Sequence, residues 1–286
     1  MRGGAIMIDL HVHTTASDGT YSPEEVVRLA AEKGIRAVAI TDHDTTLGIQ
    51  SAIIAGKAHG VEVIPGVEIS VRWNGGTMHM LGYFVKEDAE FLDSLRFLRE
   101  GRQQRIPRIL DKLTSLGISL TEADVYDASK AGSPGRPHVA NALVNKGYVS
   151  SREEAFSRFL GKGAPAYVEK VKLGPLKSIE IILKAGGVPV LAHPYSLNEP
   201  DPSRLRQILA SLIPFGLKGI EAHYPEHSLE QTKTYLELAE DLGLLVTGGT
   251  DFHGQNKPNV DLGCIPVTGH IPYSFLENLK EVSGRA

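Results

Sequence analysis

The sequence contains little cysteine, no long apolar run and no large excess of one charge. A single cysteine, Cys264, among 286 residues excludes an intramolecular disulfide framework and a cysteine-rich metal site. It fits a reducing compartment. No run approaches the roughly 20 apolar residues that a membrane span requires, and no apolar stretch near the start suits a signal peptide. We therefore expect a soluble, cytoplasmic protein with no membrane association.

The charge balance limits the classes of partner. The chain has 30 Lys and Arg residues against 34 Asp and Glu residues, a net charge of −4 and a pI near 6.3. This balance argues against a broad electrostatic surface for duplex nucleic acid. It leaves room for a small anionic ligand held by a few local cations, and nothing in the sequence indicates an obligate protein partner.

Strand-like apolar runs alternate with helical patterns along most of the chain. Between the first two runs, "SPEEVVRLAAEKG" predicts a helix with a capping box formed by Ser22 and Glu25. Strands are predicted at 5–10, 36–41, 61–70 and 77–85, and within "VPVLAHP", "LKGIEAHYP" and "LGLLVTGGTDFH". This alternation predicts a parallel α/β sheet with helical crossovers. Because so many strands recur, a closed or nearly closed (β/α) barrel is favoured over a doubly wound open sheet.

The alternation pauses in the middle of the chain, where helical spacing continues without a clear buried strand. We predict a barrel formed by residues 1–99 and 166–286, and a small helical insertion at 100–165 that forms a cap.

Histidine and carboxylate residues stand at or near the ends of several predicted strands. They are His11, His13, Asp18, His43, Glu68, His79, His193, His223, Asp251 and His253. One histidine at a strand end is usually structural, but in a barrel the strand ends meet at one face, where active sites form. "HVH" and "DFH" each place two side chains in the same direction. Imidazole and carboxylate without thiolate suit manganese, iron or zinc.

The motifs "DLHVHTTASDG", "AITDHD", "PGVEIS", "HMLGY", "LAHP" and "GTDFH" resemble, in this order, those of the PHP (polymerase and histidinol phosphatase) family. The resemblance implies a distorted (β/α)7 TIM-like barrel that binds up to three divalent ions, with manganese preferred over iron or zinc. It implies three ligand sets: His11, His13, Glu68 and Asp251; Asp18, His43 and His253; and Glu68, His79 and His193.

Such a centre would carry net positive charge. Three dications contribute +6 against −3 from Asp18, Glu68 and Asp251, which suits a phosphate ester. We expect hydrolysis by a hydroxide that bridges the ions, with no side-chain nucleophile. Asp42 and Asp44 flank His43, and they are either orienting partners of it or solvated loop acids.

The insertion adds candidate substrate-binding residues. Arg136 lies between two prolines in "GRPH", and its guanidinium suits bidentate phosphate binding. His138, Arg158 and, on the barrel, His223 complete the set of candidates. A "GRPH" insertion resembles one branch of the family, whose members remove the 3′-phosphate of nucleoside 3′,5′-bisphosphates and trim short 5′-phosphorylated RNA.

The leading hypothesis is therefore a metal-dependent phosphoesterase that acts on such a bisphosphate or on a short 5′-phosphorylated oligonucleotide. Histidinol-phosphate phosphatase is an alternative, because it would share the barrel and the metal ligands. A non-catalytic, metal-stabilised PHP module is a third possibility, from a different functional class.

Overall fold

The computed structural model describes residues 7–129 and 135–285. The chain divides into two compact units: residues up to Leu95 together with those from Lys172 onward, and Arg96–Val171. Among the helices of these residues, none is both long enough and apolar enough to cross a membrane.

The first unit is built on a sheet of eight strands in the order β7-β6-β5-β4-β3-β2-β1-β8. The strands are β1 (Met7–Val12), β2 (Ile35–Ile40), β3 (Glu62–Val71), β4 (Met78–Tyr83), β5 (Val188–Leu191), β6 (Gly219–His223), β7 (Leu245–Gly248) and β8 (Ile271–Pro272). The first predicted strand, 5–10, corresponds to β1, and its residues 5 and 6 lie outside the described residues.

The sheet closes into a nearly complete α/β barrel. A parallel bridge between Val12 and Phe252 joins the end of β1 to the segment that follows β7, and the His13 amide donates to the Phe252 carbonyl oxygen at 2.9 Å. β1 to β3 are parallel, as are β5 to β7, whereas β4 runs antiparallel to both of its neighbours. The barrel prediction is confirmed, but the prediction of a parallel sheet is wrong at β4 and at β8, which runs antiparallel to β1.

Helices cover the outside of this barrel. They are α1 (Pro23–Glu32), α2 (Ile49–His59), α8 (Pro175–Lys184), α9 (Pro202–Leu212), α10 (Leu229–Leu242) and α11 (Ser274–Val282). The two faces of β2 show the layering: Val38 and Ile40 pack in the cluster with α1 and α2, while Ala37 and Ala39 pack among residues of other strands. α1 begins with the predicted capping box, in which the Glu25 amide donates to the Ser22 hydroxyl oxygen and the Glu25 carboxylate accepts from the Ser22 amide.

The second unit is helical. α3 (Ala89–Gln103) leads into it, and it contains α4 (Arg105–Ser115), α5 (Glu122–Ser129), α6 (Arg136–Asn145) and α7 (Arg152–Ala155), followed by a π-helix at Phe156–Leu160. The buried faces of these helices form a separate apolar core that includes Ile109, Leu113, Val139 and Leu143.

Candidate metal centre

The predicted ligand residues converge on one rim of the barrel. Three groups of side chains each place one ligand atom per residue within 4.8 Å of the others. They are His11, His13, Glu68 and Asp251 (group 1); His13, Asp18, His43 and His253 (group 2); and His43, Glu68 and His79 (group 3). Together they contain eight of the nine ligand residues that the resemblance implied, and the ninth, His193, lies directly against group 3.

Group 1 is formed by the end of β1, by Glu68 of β3 and by the segment after β7. The Nε2 atoms of His11 and His13 lie 3.1 Å apart, and each faces Asp251 Oδ1, at 3.4 and 3.0 Å respectively. The register of β1 against β2 shifts between Asp9 and Val12, so the strand is irregular where the histidines stand.

Groups 2 and 3 share His43. In group 2, Asp18 Oδ1 lies 3.2 Å from His253 Nε2. In group 3, Glu68 Oε1 lies 2.7 Å from His79 Nδ1 and 2.9 Å from His193 Nε2. His79 stands at the start of β4, and it reaches the same rim as the strand ends because β4 is antiparallel.

The donor atoms fit divalent cations. His43 Nδ1, Glu68 Oε2 and Asp251 Oδ1 are buried and make no hydrogen bond with the described part of the chain. Unsatisfied buried polar atoms are rare and costly in folded proteins. Because His11, His13 and Glu68 are 1 % exposed or less, cations would both satisfy these atoms and compensate the buried carboxylates.

The pKa shifts within the cluster also indicate a site for cations. Burial alone would raise the pKa of Glu68, but the imidazoles of His79, His43 and His11 hold it well below its usual value. Burial alone would lower the pKa of His13, whereas the neighbouring carboxylates of Asp251 and Glu68 raise it to about 9. Without cations, the carboxylates therefore stabilise protonated His13, whereas burial lowers the pKa of His43 to about 3. Divalent ions would take over the role of these protons.

Two of the predicted ligand residues adopt backbone conformations that are uncommon outside glycine. φ is +24° at His193 and +52° at Asp251. Such conformations cost on the order of 1–3 kcal/mol each and cluster at functional sites.

Three buried aspartates tie the ligand-bearing segments together. Asp9 accepts from the amide and hydroxyl of Thr250, Asp42 from those of Thr14, and Asp44 from those of Ser70. Each of these serine or threonine residues lies within two positions of a predicted ligand residue.

The hypothesis that Asp42 and Asp44 are solvated loop acids is wrong, because both side chains are 1 % exposed or less. Asp9 was not predicted. Its position inside an apolar strand was the available signal.

Asp251 has two further partners on its outer oxygen. The Tyr224 hydroxyl donates to Oδ2 at 2.7 Å, and Lys257 Nζ lies 2.5 Å from the same atom. Burial alone would lower the pKa of Lys257, but Asp251 raises it above its usual value. These contacts leave Oδ1 turned toward His11 and His13.

Glu221, on β6, is a site residue that the sequence analysis missed. It is fully buried, and its Oε1 lies 3.0 Å from His11 Nδ1. It adds a fourth carboxylate to the three counted from the sequence, so three dications would still leave a positive centre.

His223, the predicted residue of the same strand, belongs to none of the three groups. Its ring lies 5.3 Å from that of Phe275, and burial lowers its pKa.

The predicted substrate residues of the helical unit have local partners. Arg136 is half-buried, donates from Nη1 to the Leu160 carbonyl at 3.0 Å and lies over the rings of Phe156 and Tyr167. His138 is buried, and its Nδ1 accepts from the Gly135 amide at 2.8 Å at the start of α6. Arg158 pairs with Glu154 at 2.5 Å near the surface.

Known proteins resemble the chain over nearly its whole length. The family model described as PHP domain matches residues 9–130. A 5′-3′ exoribonuclease of Haemophilus influenzae is 36% identical over 271 residues, which cover 91% of this chain and 97% of that protein. The chain belongs to the PHP family. It is accordingly a metal-dependent phosphoesterase, a hydrolase that acts on phosphoric ester bonds.

Other PHP relatives carry different names. A 3′,5′-nucleoside bisphosphate phosphatase of Chromobacterium violaceum is 31% identical over 264 residues, 90% of each protein. A phosphoribosyl 1,2-cyclic phosphate 1,2-diphosphodiesterase of Eggerthella lenta is 34% identical over 255 residues, 86% of this chain and 94% of that protein. Among solved structures, a candidate metal-dependent phosphoesterase of Bifidobacterium adolescentis superposes with a TM-score of 0.82 at 31% identity, covering 97% and 96% of the two chains.

Proposed function

We propose that this PHP protein removes the 3′-phosphate from nucleoside 3′,5′-bisphosphates and trims short 5′-phosphorylated oligonucleotides, in the cytoplasm and with manganese. Two relatives that match about nine-tenths of the chain are named for these activities, the exoribonuclease and the bisphosphate phosphatase. The convergence of nine imidazole and carboxylate side chains on one rim is the observation that carries the proposal. Ions bound there would activate water and neutralise charge on the phosphoryl group.

The residues around the centre favour direct attack by water over a side-chain nucleophile. The Ser17 hydroxyl donates to Asp42 at 2.6 Å, and the Thr14 hydroxyl donates to the same carboxylate at 2.7 Å. The Thr250 hydroxyl donates to Asp9. Each of these hydroxyls is therefore committed as a donor to a buried carboxylate.

The helical unit has an excess of positive charge, which suits a phosphorylated ligand. Residues 96–171 contain 13 Lys and Arg residues against 8 Asp and Glu residues, in a chain whose total balance is negative. Within this unit, Arg105 and Arg136 approach the same Tyr167 ring, at 5.9 and 5.4 Å from its centre.

These two guanidiniums can donate more hydrogen bonds than they do within the protein. Arg105 donates to the Val168 carbonyl at 2.7 Å and Arg136 to the Leu160 carbonyl, one bond each of the five that a guanidinium can donate. Neither makes an ion pair with a carboxylate of the described residues. Burial and the neighbouring Arg136 lower the pKa of Arg105 to about 10. An anion would relieve this repulsion, which supports phosphate binding by Arg136 with Arg105 beside it.

The test compares substrates that differ in one phosphate. Manganese-loaded protein should hydrolyse adenosine 3′,5′-bisphosphate with a kcat/KM about 10- to 100-fold above that for 3′-AMP, because a charge-assisted bidentate contact contributes roughly 1.5–3 kcal/mol. Arg136→Ala should remove this preference and leave 3′-AMP hydrolysis nearly unchanged. Arg136→Lys should restore only part of it, because an ammonium lacks the planar fork.

Arg108→Ala is the matched control, since it removes an exposed arginine from the same unit. Equal losses on both substrates in Arg136→Ala would show that Arg136 supports the helical unit itself, and the substrate assignment would fail. Histidinol phosphate and phosphoribosyl 1,2-cyclic phosphate complete the panel. Preferential turnover of either one would replace the proposed substrate with that compound.

A further inference from the structure

Glu221 connects two of the ligand groups without belonging to either. Its Oε1 and Oε2 lie 3.0 and 3.2 Å from His11 Nδ1, and Oε2 also accepts from the His193 amide at 2.8 Å. His11 is a member of group 1, and His193 lies against group 3. Both carboxylate oxygens are therefore occupied by protein donors, which separates Glu221 from the ligands themselves.

The contact with His11 determines which imidazole nitrogen faces the centre. A neutral imidazole carries its proton on one nitrogen and offers the other as a ligand. A carboxylate at Nδ1 keeps the proton there and leaves Nε2 unprotonated. Nε2 is the His11 atom that lies 3.5 Å from Glu68 and 3.4 Å from Asp251.

The contact with His193 acts on the backbone. His193 has a φ of +24°, a backbone conformation that residues other than glycine rarely adopt. Surrounding contacts must maintain it. The Glu221 carboxylate holds the amide of this residue, and the His193 Nε2 atom then lies 2.9 Å from Glu68.

We propose that Glu221 is a positioning residue that holds His11 as the Nδ1–H tautomer and, through the His193 amide, fixes the spacing between groups 1 and 3. This inference rests on the metal centre of the proposed function. Group 2 contains no residue that Glu221 contacts, so its ion should not depend on Glu221.

Glu221→Gln tests the proposal, because an amide offers one acceptor oxygen where the carboxylate offers two. Either the His193 amide loses its acceptor, or the amide NH₂ faces His11 Nδ1 and favours the opposite tautomer. The affinity for zinc at group 1, at group 3 or at both should fall about 10- to 100-fold, as for other partners of ligating histidines. Titration of metal-free protein with Zn²⁺ should show three tight ions in the wild type, and in the variant at least one tight ion with one or two weakened.

Thr247→Val is the matched control, because Thr247 is fully buried and pairs with Glu221 across β6 and β7. It should keep three ions at wild-type affinity. The inference is overturned if Glu221→Gln binds all three ions as the wild type does. It is also overturned if Glu221→Gln and Thr247→Val lose all ions together with similar falls in unfolding temperature, since that pattern marks a general structural role.

A measurement on the wild type keeps the inference testable even if Glu221→Gln does not fold. The long-range ¹H–¹⁵N spectrum of histidine in zinc-loaded protein should show His11 protonated at Nδ1. A proton at Nε2 would overturn the inference. Wild-type protein that binds no zinc would overturn both the inference and the proposed function. Three ions and phosphate release with the wrong His11 tautomer would overturn the inference alone.

Discussion

Replacing Asp9 by asparagine should destabilise the barrel and weaken metal binding at the same time. The Asp9 carboxylate is fully buried and accepts four hydrogen bonds. Oδ1 accepts from the amides of Thr250 and His11 at 2.9 and 3.2 Å, and Oδ2 from the Thr250 hydroxyl and the Gly263 amide at 2.5 and 2.9 Å. Asparagine has the same shape but presents an NH₂ group on one side.

The geometry allows an estimate of the cost. With its oxygen at the Oδ1 position, asparagine keeps two bonds, and the Thr250 hydroxyl can turn to accept from the NH₂ group. The Gly263 amide is then buried without a partner, at about 1–3 kcal/mol, and each remaining bond loses about 1 kcal/mol of charge assistance. Burial raises the pKa of Asp9, which shows that its charged form is costly to bury. Removing the charge therefore offsets part of the lost stability. We expect a net destabilisation of about 2–4 kcal/mol, or about 3–7 °C in Tm.

The assay is thermal unfolding in the presence of EDTA, so that bound ions do not contribute, followed by Mn²⁺ titration. Because Thr250 precedes Asp251, the variant should also bind Mn²⁺ more weakly. Asp261→Asn is the control: this exposed residue pairs with Lys33, and surface pairs contribute about 0–1 kcal/mol. Indistinguishable unfolding of Asp9→Asn and Asp261→Asn would refute the reasoning.

Three further predictions follow from single residues. His11→Ala and Asp251→Asn should each lower phosphate release by more than about 100-fold with native circular dichroism retained, and near-normal activity in either would contradict the ligand assignment. Gly249→Ala should impair Mn²⁺ binding, because the new Cβ would lie 2.2 Å from His11 Cβ, whereas Gly174→Ala, which meets open space, should leave Mn²⁺ affinity unchanged. Ser22→Ala should lower the free energy of unfolding by about 1 kcal/mol without changing kcat/KM, because it removes only a helix cap.

Local chemistry made parts of the fold predictable. The capping box at Ser22 and Glu25 depends on four adjacent residues, so the sequence identifies it directly. The direction of β4 does not follow from local pattern, because alternation of apolar residues is the same in parallel and antiparallel strands. His79 therefore reaches the site for a reason that periodicity could not reveal.

The site was partly predictable for a similar reason. Ligand residues at strand ends carry their own chemical signal, and the structure brings them together. Glu221 was missed because the sequence analysis selected His223, the last residue of the same strand, as the candidate site residue. The register of β6 against β7 shifts between these two residues, so alternation fails there. A carboxylate inside an apolar strand, as at Asp9 and Glu221, was the signal that could have found both residues.

The central claim is that nine side chains on one rim of the barrel hold three divalent ions. Anomalous diffraction at the manganese edge, from crystals grown with Mn²⁺, tests this claim most directly. We predict three peaks per chain: one among His11, His13 and Asp251, one among Asp18, His43 and His253, and one among Glu68, His79 and His193. If no anomalous peak lies at this rim, or if peaks lie only at other surfaces of the protein, the result would contradict the account.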